Sequence, residues 1–111
     1  MESELQIQTK TIGDNELITL TGTVGSASAE SLDKQIQKAF RHRIFNIILD
    51  LDQVNLITSA GLRVMLKTVK ECQRNNGQLK LLNVSKTLID VFNIIGITFH
   101  IYDDLATALE N

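Results

Sequence analysis

The sequence contains no proline and a single cysteine, Cys72, among its 111 residues. It also has no low-complexity tract and no internal repeat, so nothing marks a linker and we expect one domain over residues 1–111. A single cysteine cannot form an internal disulfide bond, which fits a protein of the reducing cytoplasm. The two histidines, His42 and His100, are far apart and lack ligand spacing, so no metal site is predicted.

Long apolar runs and an excess of positive charge are absent as well. The most apolar stretch is interrupted by Asn46, Asp50 and Asp52, so no segment approaches the roughly 20 residues of a membrane-spanning helix. The acidic, polar start over residues 1–6 does not have the pattern of a signal peptide. The net charge is -2, whereas a nucleic-acid-binding domain would show a basic excess. These features predict a cytoplasmic protein with no membrane segment and no nucleic-acid partner.

What the sequence does contain is an alternation of strand and helix patterns. Residues 5–10 and 16–22 have β-strand character and flank turn residues at 13–15, which predicts a hairpin. Beyond it, helical periodicity predicts helices over residues 28–43, 62–74, 85–95 and 103–109, and apolar runs predict strands over 44–51, 78–83 and 98–102. The order β-β-α-β-α-β-α-β-α predicts an α/β domain, with a mixed sheet of about five strands packed with four to five helices.

Two of these helices have apolar faces that predict which side chains point inward. For the second helix they are Leu62, Met65, Leu66, Val69 and Cys72, and for the third they are Leu88, Ile89, Phe92 and Ile95. A basic stripe occupies another face of the second helix, at Arg63, Lys67, Lys70 and Arg74. Such a stripe is either a solvated face or a contact for an acidic patch on a partner, and the salt dependence of binding separates the two.

The strongest candidate site lies in the segment NLITSAGLRVML, residues 55–66. Ser59 stands where the central strand leads into a helix, the end of an α/β sheet at which ligands usually bind. The small residues Thr58, Ala60 and Gly61 leave the backbone approachable, and the free amides of a helix start can receive an anion. One interpretation is that Ser59 or Thr58 only caps the helix. The other is that Ser59 accepts a phosphoryl group.

This segment is one of a series of motifs that occur along the chain in a characteristic order. The motifs are LDL at 49–51, SAGLRVML at 59–66, NNGQL at 75–79, LLNVS at 81–85, IGI at 95–97 and IYDDLATAL at 101–109, with TGTVGSASAESLDKQI upstream at 21–36. Together they cover nearly the full chain. In this order they resemble the STAS domain of anti-sigma factor antagonists.

The resemblance implies a function for the helix start. Ser59 matches the serine that a partner kinase phosphorylates in that family, and Thr58 is a second candidate acceptor. The implied partners are an anti-sigma factor with ATP-dependent serine kinase activity, which supplies ATP and magnesium, and a serine phosphatase that resets the switch. The chain itself is expected to need no cofactor and to catalyse no reaction. The expected partner-binding residues are Gly25, Thr58, Ser59, Ala60, Gly61 and Arg63.

The sequence departs from the family pattern at two positions. Many members carry an aspartate where this chain has Thr58, and many carry another in the loop where it has Gly25. Both differences remove negative charge near Ser59. They leave open a second function for the same fold, that of an accessory or scaffold subunit in a transport or stress-signalling complex that never cycles through phosphorylation.

Asp50 and Asp52 suggest a third function, because a D-x-D pattern at the end of a strand also suits a metal site or a phosphorylated aspartate. A phosphotransferase of that kind needs an acidic partner pair and a lysine from other strand ends, and the sequence shows no clear set of this sort. We expect these aspartates to be solvated or to cap a turn.

Overall fold

The computed structural model describes residues 5–111, and its elements follow the predicted order. The strands are β1 (Leu5–Ile12), β2 (Asn15–Val24), β3 (Asn46–Ile57), β4 (Leu79–Leu82) and β5 (His100–Tyr102). The helices are α1 (Ser26–Arg41), α2 (Ser59–Arg74), α3 (Lys86–Ile95) and α4 (Leu105–Glu110). Residues 1–4, on which the prediction of no signal peptide partly depends, lie outside the described residues.

The strands form one mixed sheet in the order β1-β2-β3-β4-β5. β1 and β2 pair antiparallel, which confirms the hairpin, and Gly13 in the connecting turn has φ +59, a value that favours glycine. The pairs β2–β3, β3–β4 and β4–β5 are parallel. The predicted fold class, an α/β domain with a mixed sheet of five strands and four helices, is therefore confirmed.

The two faces of the sheet are covered unequally. The larger core lies between one face and the helices α1, α2 and α3, and the smaller core lies under α4 on the opposite face. In β3 the consecutive residues Ile47, Ile48 and Leu49 are all fully buried, because alternate side chains point into the two cores. The apolar run predicted over residues 44–51 is thus part of the central strand of the sheet, which is buried on both faces.

β3 is longer than its apolar run predicts. The sequence predicts a strand over residues 44–51, whereas β3 extends to Ile57. Pairing with β2 continues past two irregularities, one between Thr19 and Thr21 and one between Gly22 and Thr23. As a result Val24 lies opposite Ile57. The starts of α1 and α2, which follow these residues, therefore come together at the edge of the sheet that is formed by the carboxyl ends of β2 and β3.

The predicted inward face of α2 is correct for the residues Leu62, Met65, Val69 and Cys72, which are buried or packed against the core. It is wrong for Leu66, which is 36% exposed, while Thr68 is buried in the core layer. The Thr68 hydroxyl donates a hydrogen bond to the Val64 carbonyl at 2.8 Å. Because this bond satisfies the hydroxyl within the helix, threonine can be buried at this position.

The third helix differs from its prediction at one position. Leu88 and Phe92 are buried and Ile89 is half-buried, as expected, but Ile95 is 47% exposed. Ile95 is the last residue of α3, which ends at Gly96 in the left-handed conformation. Helical spacing gives a direction for each side chain but not the extent of the surface that covers it, and at this last turn both Ile94 and Ile95 are left exposed.

Candidate functional site

Ser59 is the first residue of α2 and its side chain lies on the protein surface. Thr58 occupies the N-cap position in an extended conformation, and its carbonyl accepts the N–H of Leu62 at 2.9 Å, which closes the first turn. Within residues 5–111 the Ser59 hydroxyl has no hydrogen bond to another residue. The helix therefore begins at Ser59, three residues before the predicted start at residue 62, and presents this hydroxyl to solvent.

Thr58 is directed inward. Its backbone N–H and its side-chain hydroxyl both donate to the Val24 carbonyl, at 2.9 Å and 3.1 Å, and it makes no side-chain capping hydrogen bond. These contacts tie the start of α2 to the end of β2. The capping interpretation is therefore correct for Thr58 by position but not by side-chain bonding, since its hydroxyl bonds to Val24, and it does not fit Ser59, which lies one position beyond the cap.

Gly61 is buried on the inner side of the first turn of α2. A Cβ atom there would lie 2.7 Å from Val24 Cγ1 and 2.9 Å from Ile57 Cγ2, closer than van der Waals contact permits. Glycine is thus required because the helix packs closely on the ends of β2 and β3. Gly61 was expected to leave the backbone approachable, but it is buried, and close packing is the physical reason for glycine at this position.

Gly25 begins α1 beside this turn and is also buried. Its N–H donates to Ser28 Oγ at 2.7 Å, and the Ser28 hydroxyl donates to the Thr23 carbonyl at 2.9 Å. These bonds hold the loop between β2 and α1 close to the sheet. Gly25 contributes to the shape of the loop and offers no side chain to a partner.

The structure brings the predicted partner-binding residues to one edge of the sheet but exposes them to different degrees. Ser59 and Arg63 are exposed, Thr58 and Ala60 are half-buried, and Gly25 and Gly61 are buried. Whether they bind a partner stays a prediction.

The sequence analysis missed Leu56, which precedes this turn and is 52% exposed. Its neighbours Val54 and Ile57 are buried, so Leu56 had the appearance of one more member of an apolar run. Beside it, the Asn55 side chain accepts a hydrogen bond from Thr23 Oγ1 at 2.8 Å, which connects the ends of β2 and β3. An exposed leucine three residues before the exposed Ser59 gives this edge an apolar surface that the sequence pattern did not indicate.

The charged side chains nearest to Ser59 lie beyond the first turns of α1 and α2. The first turns of α1 and α2 contain no acidic residue. Arg63 is exposed one turn after Ser59, and further along α2 the Lys67 ammonium pairs with Asp33 of α1 at 2.8 Å. Thr58 and Gly25 carry no charge and Lys67 is paired, so within the described residues Arg63 is the unpaired cation of α2 that stands nearest to Ser59 in sequence.

Asp50 and Asp52 lie within β3 rather than at its end. Asp50 Oδ1 accepts the N–H of Asp52 at 3.1 Å and the side-chain amide of Asn83 at 3.2 Å, and Asp52 Oδ2 accepts from Gln53 Nε2 at 2.7 Å. Among residues 5–111 there is no group of three or more histidine, cysteine or acidic residues that could hold a metal ion. The contacts of both aspartates are thus hydrogen bonds to neighbouring residues of β3 and, for Asp50, to Asn83 after β4.

Two further features concern the reactivity of Cys72 and the length and apolar character of the helices. Cys72 is fully buried, and loss of solvation together with the nearby Glu71 carboxylate raises the pKa of its thiol to about 12. The thiol is therefore protonated and unreactive at neutral pH. In the part of the chain that the structure describes, no helix has the length and apolar character needed to cross a membrane.

Comparison with known proteins places the fold in a defined family. The sequence model of the STAS domain family matches residues 6–108 of this chain. A Bordetella bronchiseptica protein named as an anti-sigma factor antagonist, BtrV, is 35% identical over 77 residues, which are 69% of this chain and 66% of that protein. The chain thus matches just under two thirds of the length of this relative.

Solved structures of Bacillus SpoIIAA have the same fold. The unphosphorylated form of this anti-sigma factor antagonist matches with a TM-score of 0.78 and 21% identity, covering 95% of this chain and 94% of that one. The phosphorylated form matches with a TM-score of 0.77 and 23% identity, covering 95% and 97%. The family-model match extends over nearly all of the described residues and includes the exposed serine at the start of α2. The chain belongs to the STAS domain family.

Proposed function

We propose that this protein is an anti-sigma factor antagonist that acts as a phosphorylation switch. In its unmodified form it binds an anti-sigma factor with serine kinase activity through the surface around Ser59, and phosphorylation of Ser59 releases it. A serine phosphatase restores the binding form. The protein is a regulator without catalytic activity of its own. The observation that carries the proposal is the exposed hydroxyl of Ser59, which has no hydrogen bond within residues 5–111, beside the inward-directed hydroxyl of Thr58.

The proposed modification is a transfer of the γ-phosphoryl group of ATP. A bond forms between Ser59 Oγ and the γ-phosphorus, and the bond from that phosphorus to the bridging β–γ oxygen breaks. ADP leaves, and the hydroxyl proton passes to a base of the kinase. Exposure at the first position of α2 supports this step, because the kinase can reach Oγ without unfolding the helix. The Thr58 hydroxyl is half-buried against Val24, which favours Ser59 as the acceptor.

The physical effect of the phosphate differs between the free protein and the complex. A phosphoserine carries about -1.5 to -2 charges, and near the start of a helix it is favourable by roughly 0.3 to 1 kcal/mol. In a partner interface, the same group costs several kcal/mol unless cations pair with it. Each ~1.4 kcal/mol changes affinity tenfold, so the interface effect decides the outcome. The similar match of this chain to both SpoIIAA forms supports a switch that leaves the fold intact.

Intact-mass analysis with peptide mapping of protein isolated from its host tests the modification. We expect one phosphate, on Ser59. The matched variants are Ser59→Ala, which should abolish the modification, and Ser85→Ala at the start of α3, which should leave it unchanged. Phosphate on another residue contradicts the assignment. Its complete absence under every growth condition favours the alternative of an accessory or scaffold subunit that does not cycle.

Binding to the anti-sigma factor of the same host tests the consequence. We expect phosphorylation of Ser59 and Ser59→Asp to weaken binding at least ~100-fold, which corresponds to about 3 kcal/mol, whereas Ser59→Ala should bind like the unmodified protein. Equal affinity of the phosphorylated and unmodified proteins would overturn the switch. Salt titration of the same complex reports whether the basic stripe of α2 contributes, since a contact with an acidic patch weakens as salt rises.

A further inference from the structure

Arg63 stands four residues after Ser59 on α2, and both side chains are exposed. Residues at this spacing lie on the same side of a helix, with Cβ atoms about 6 Å apart. The side chain of arginine is long enough to span that distance to a group attached at Ser59 Oγ. Its planar guanidinium can also donate two parallel hydrogen bonds to phosphate oxygens.

The other cations of α2 are either engaged or distant. Lys67 pairs with Asp33 at 2.8 Å and Arg74 pairs with Glu71 at 2.6 Å. Lys70 is eleven residues after Ser59, which is about 16 Å along a helix axis. Among residues 5–111, Arg63 has no ion pair. It is therefore the cation of α2 that is both close to Ser59 and available.

The α1 helix packs beside α2 and contributes the carboxylates that face this stripe. Both helices begin at the same edge of the sheet and run in the same direction, and Asp33 meets Lys67 across them. One turn earlier on each helix stand Glu30 and Arg63, and Glu30 is exposed. From this register on the two helices, we expect Glu30 to be the carboxylate of α1 that competes with a phosphate for Arg63. No acidic residue in the first turn of either helix opposes the phosphate more closely.

We propose that Arg63 is the intramolecular receptor for the phosphate on Ser59. The guanidinium turns toward the first turn of α2 and pairs with the phosphate oxygens, so that the modified side chain lies along the helix. Phosphorylation then changes the surface in two ways, because it adds a dianion and also withdraws Arg63 from a partner. This inference rests on the proposed function, but it concerns how the phosphate is held and not which enzyme adds it.

Titration of the phosphate tests the pairing directly. Phosphoserine is placed at position 59 during synthesis of the full chain, without a kinase, and its second pKa is measured by phosphorus NMR. A nearby guanidinium stabilises the dianion, so we expect Arg63→Gln to raise this pKa by about 0.5 pH unit. Arg63→Lys should restore part of the shift. Glu30→Gln, which removes the competing carboxylate, should lower the pKa.

The matched control is Lys70→Gln, which makes the same change of charge on the same helix at a distance. If Lys70→Gln shifts the phosphate pKa as much as Arg63→Gln, the effect is a general one of net charge and the pairing is wrong. An unchanged pKa in Arg63→Gln also overturns it. Circular dichroism of the unphosphorylated variants verifies that each is folded. Because the phosphate is installed without a kinase, this test can succeed even when the host protein is never phosphorylated, and can fail when it is.

Discussion

Ser59 and Ser85 both stand at the start of a helix, yet their hydroxyls have different surroundings. Ser85 is the N-cap of α3, and its oxygen accepts the N–H of Leu88 at 3.2 Å. Ser59 lies one position further into its helix, after the cap, and within the described residues its hydroxyl has no hydrogen bond. One position relative to the cap thus separates a serine whose hydroxyl accepts a helix N–H from a serine whose hydroxyl has no hydrogen bond among the described residues.

The same difference divides the helix starts of the molecule into two pairs. In α3 and α4 a side chain caps the helix, with Asp104 accepting the N–H of Thr107 at 2.8 Å in α4. In α1 and α2 the cap residues Gly25 and Thr58 make no side-chain capping bond. These two starts are neighbours at the edge formed by β2 and β3. Contacts to the ends of β2 and β3 fix the position of these two helix starts. The exposed side chains at this edge, such as Ser59, are therefore not needed to cap a helix.

The largest effect is expected from Gly61→Val, because it disrupts the close packing of the start of α2 against the ends of β2 and β3. A Cβ atom at this position already lies 2.7 Å from Val24 Cγ1, so we expect overpacking to reduce the free energy of unfolding by about 3 kcal/mol. Urea unfolding at equilibrium measures it. The control Ser59→Val adds bulk to the exposed neighbour and should change stability by less than about 0.5 kcal/mol. Equal losses in the two variants would show that Gly61 is not closely packed.

The comparison of the serines is tested by replacing each with alanine. Ser85→Ala removes the bond to Leu88 N–H and should reduce the free energy of unfolding by about 1 kcal/mol. Ser59→Ala removes no hydrogen bond between described residues and should change it by less than about 0.5 kcal/mol. Thermal unfolding at one pH measures both variants. A larger loss for Ser59→Ala would mean that its hydroxyl is part of the fold and not a free group.

A smaller effect is expected at Thr58. Thr58→Val keeps the shape of the side chain but removes the hydroxyl bond to the Val24 carbonyl, which still accepts the backbone N–H at 2.9 Å. We expect a loss of about 0.5 to 1 kcal/mol, while Thr58→Ser should lose less because it keeps the hydroxyl. Amide hydrogen exchange at Leu62 reports whether the first turn of α2 opens more often. Unchanged exchange and stability in Thr58→Val would show that the hydroxyl does not tie α2 to β2.

How much of this site the sequence reveals depends on the range of the interactions involved. The order of elements, and a helix soon after Ser59, follow from local periodicity, which needs only neighbouring residues, although α2 begins at Ser59 and not at the predicted residue 62. The extension of β3 to Ile57 could not be predicted, because its last residues pair with β2 beyond two irregularities. The inward hydroxyl of Thr58 and the exposure of Leu56 both result from that pairing. Local pattern located the site, and tertiary contacts determined which hydroxyl is exposed.

Exposure at the helix surfaces was harder to predict for a related reason. Leu66 and Ile95 fit an inward apolar face by spacing but are exposed, while Thr68 is buried. A helical pattern gives a direction for each side chain, but the width of the neighbouring surface decides which of them are covered. Thr68 is tolerated in the core only because its hydroxyl bonds to its own helix, a contact that composition does not indicate.

The smallest effect is expected from a change of pH, because the two capped helices differ in whether the cap residue titrates: Asp104 of α4 does and Ser85 of α3 does not. Hydrogen bonds from the Thr107 backbone N–H and side chain lower the pKa of Asp104 below its usual 3.8. Its cap therefore contributes stability above pH 3.8 that is lost as the pH falls through the lowered pKa. The Ser85 cap has no group that titrates there. The amide proton shift of Thr107 should titrate with a midpoint below 3.8, that of Leu88 should not follow, and Asp104→Asn should abolish the Thr107 titration. A midpoint at or above 3.8 would mean that Asp104 does not cap α4 in solution, so that α4, like α1 and α2, would begin without a side-chain cap.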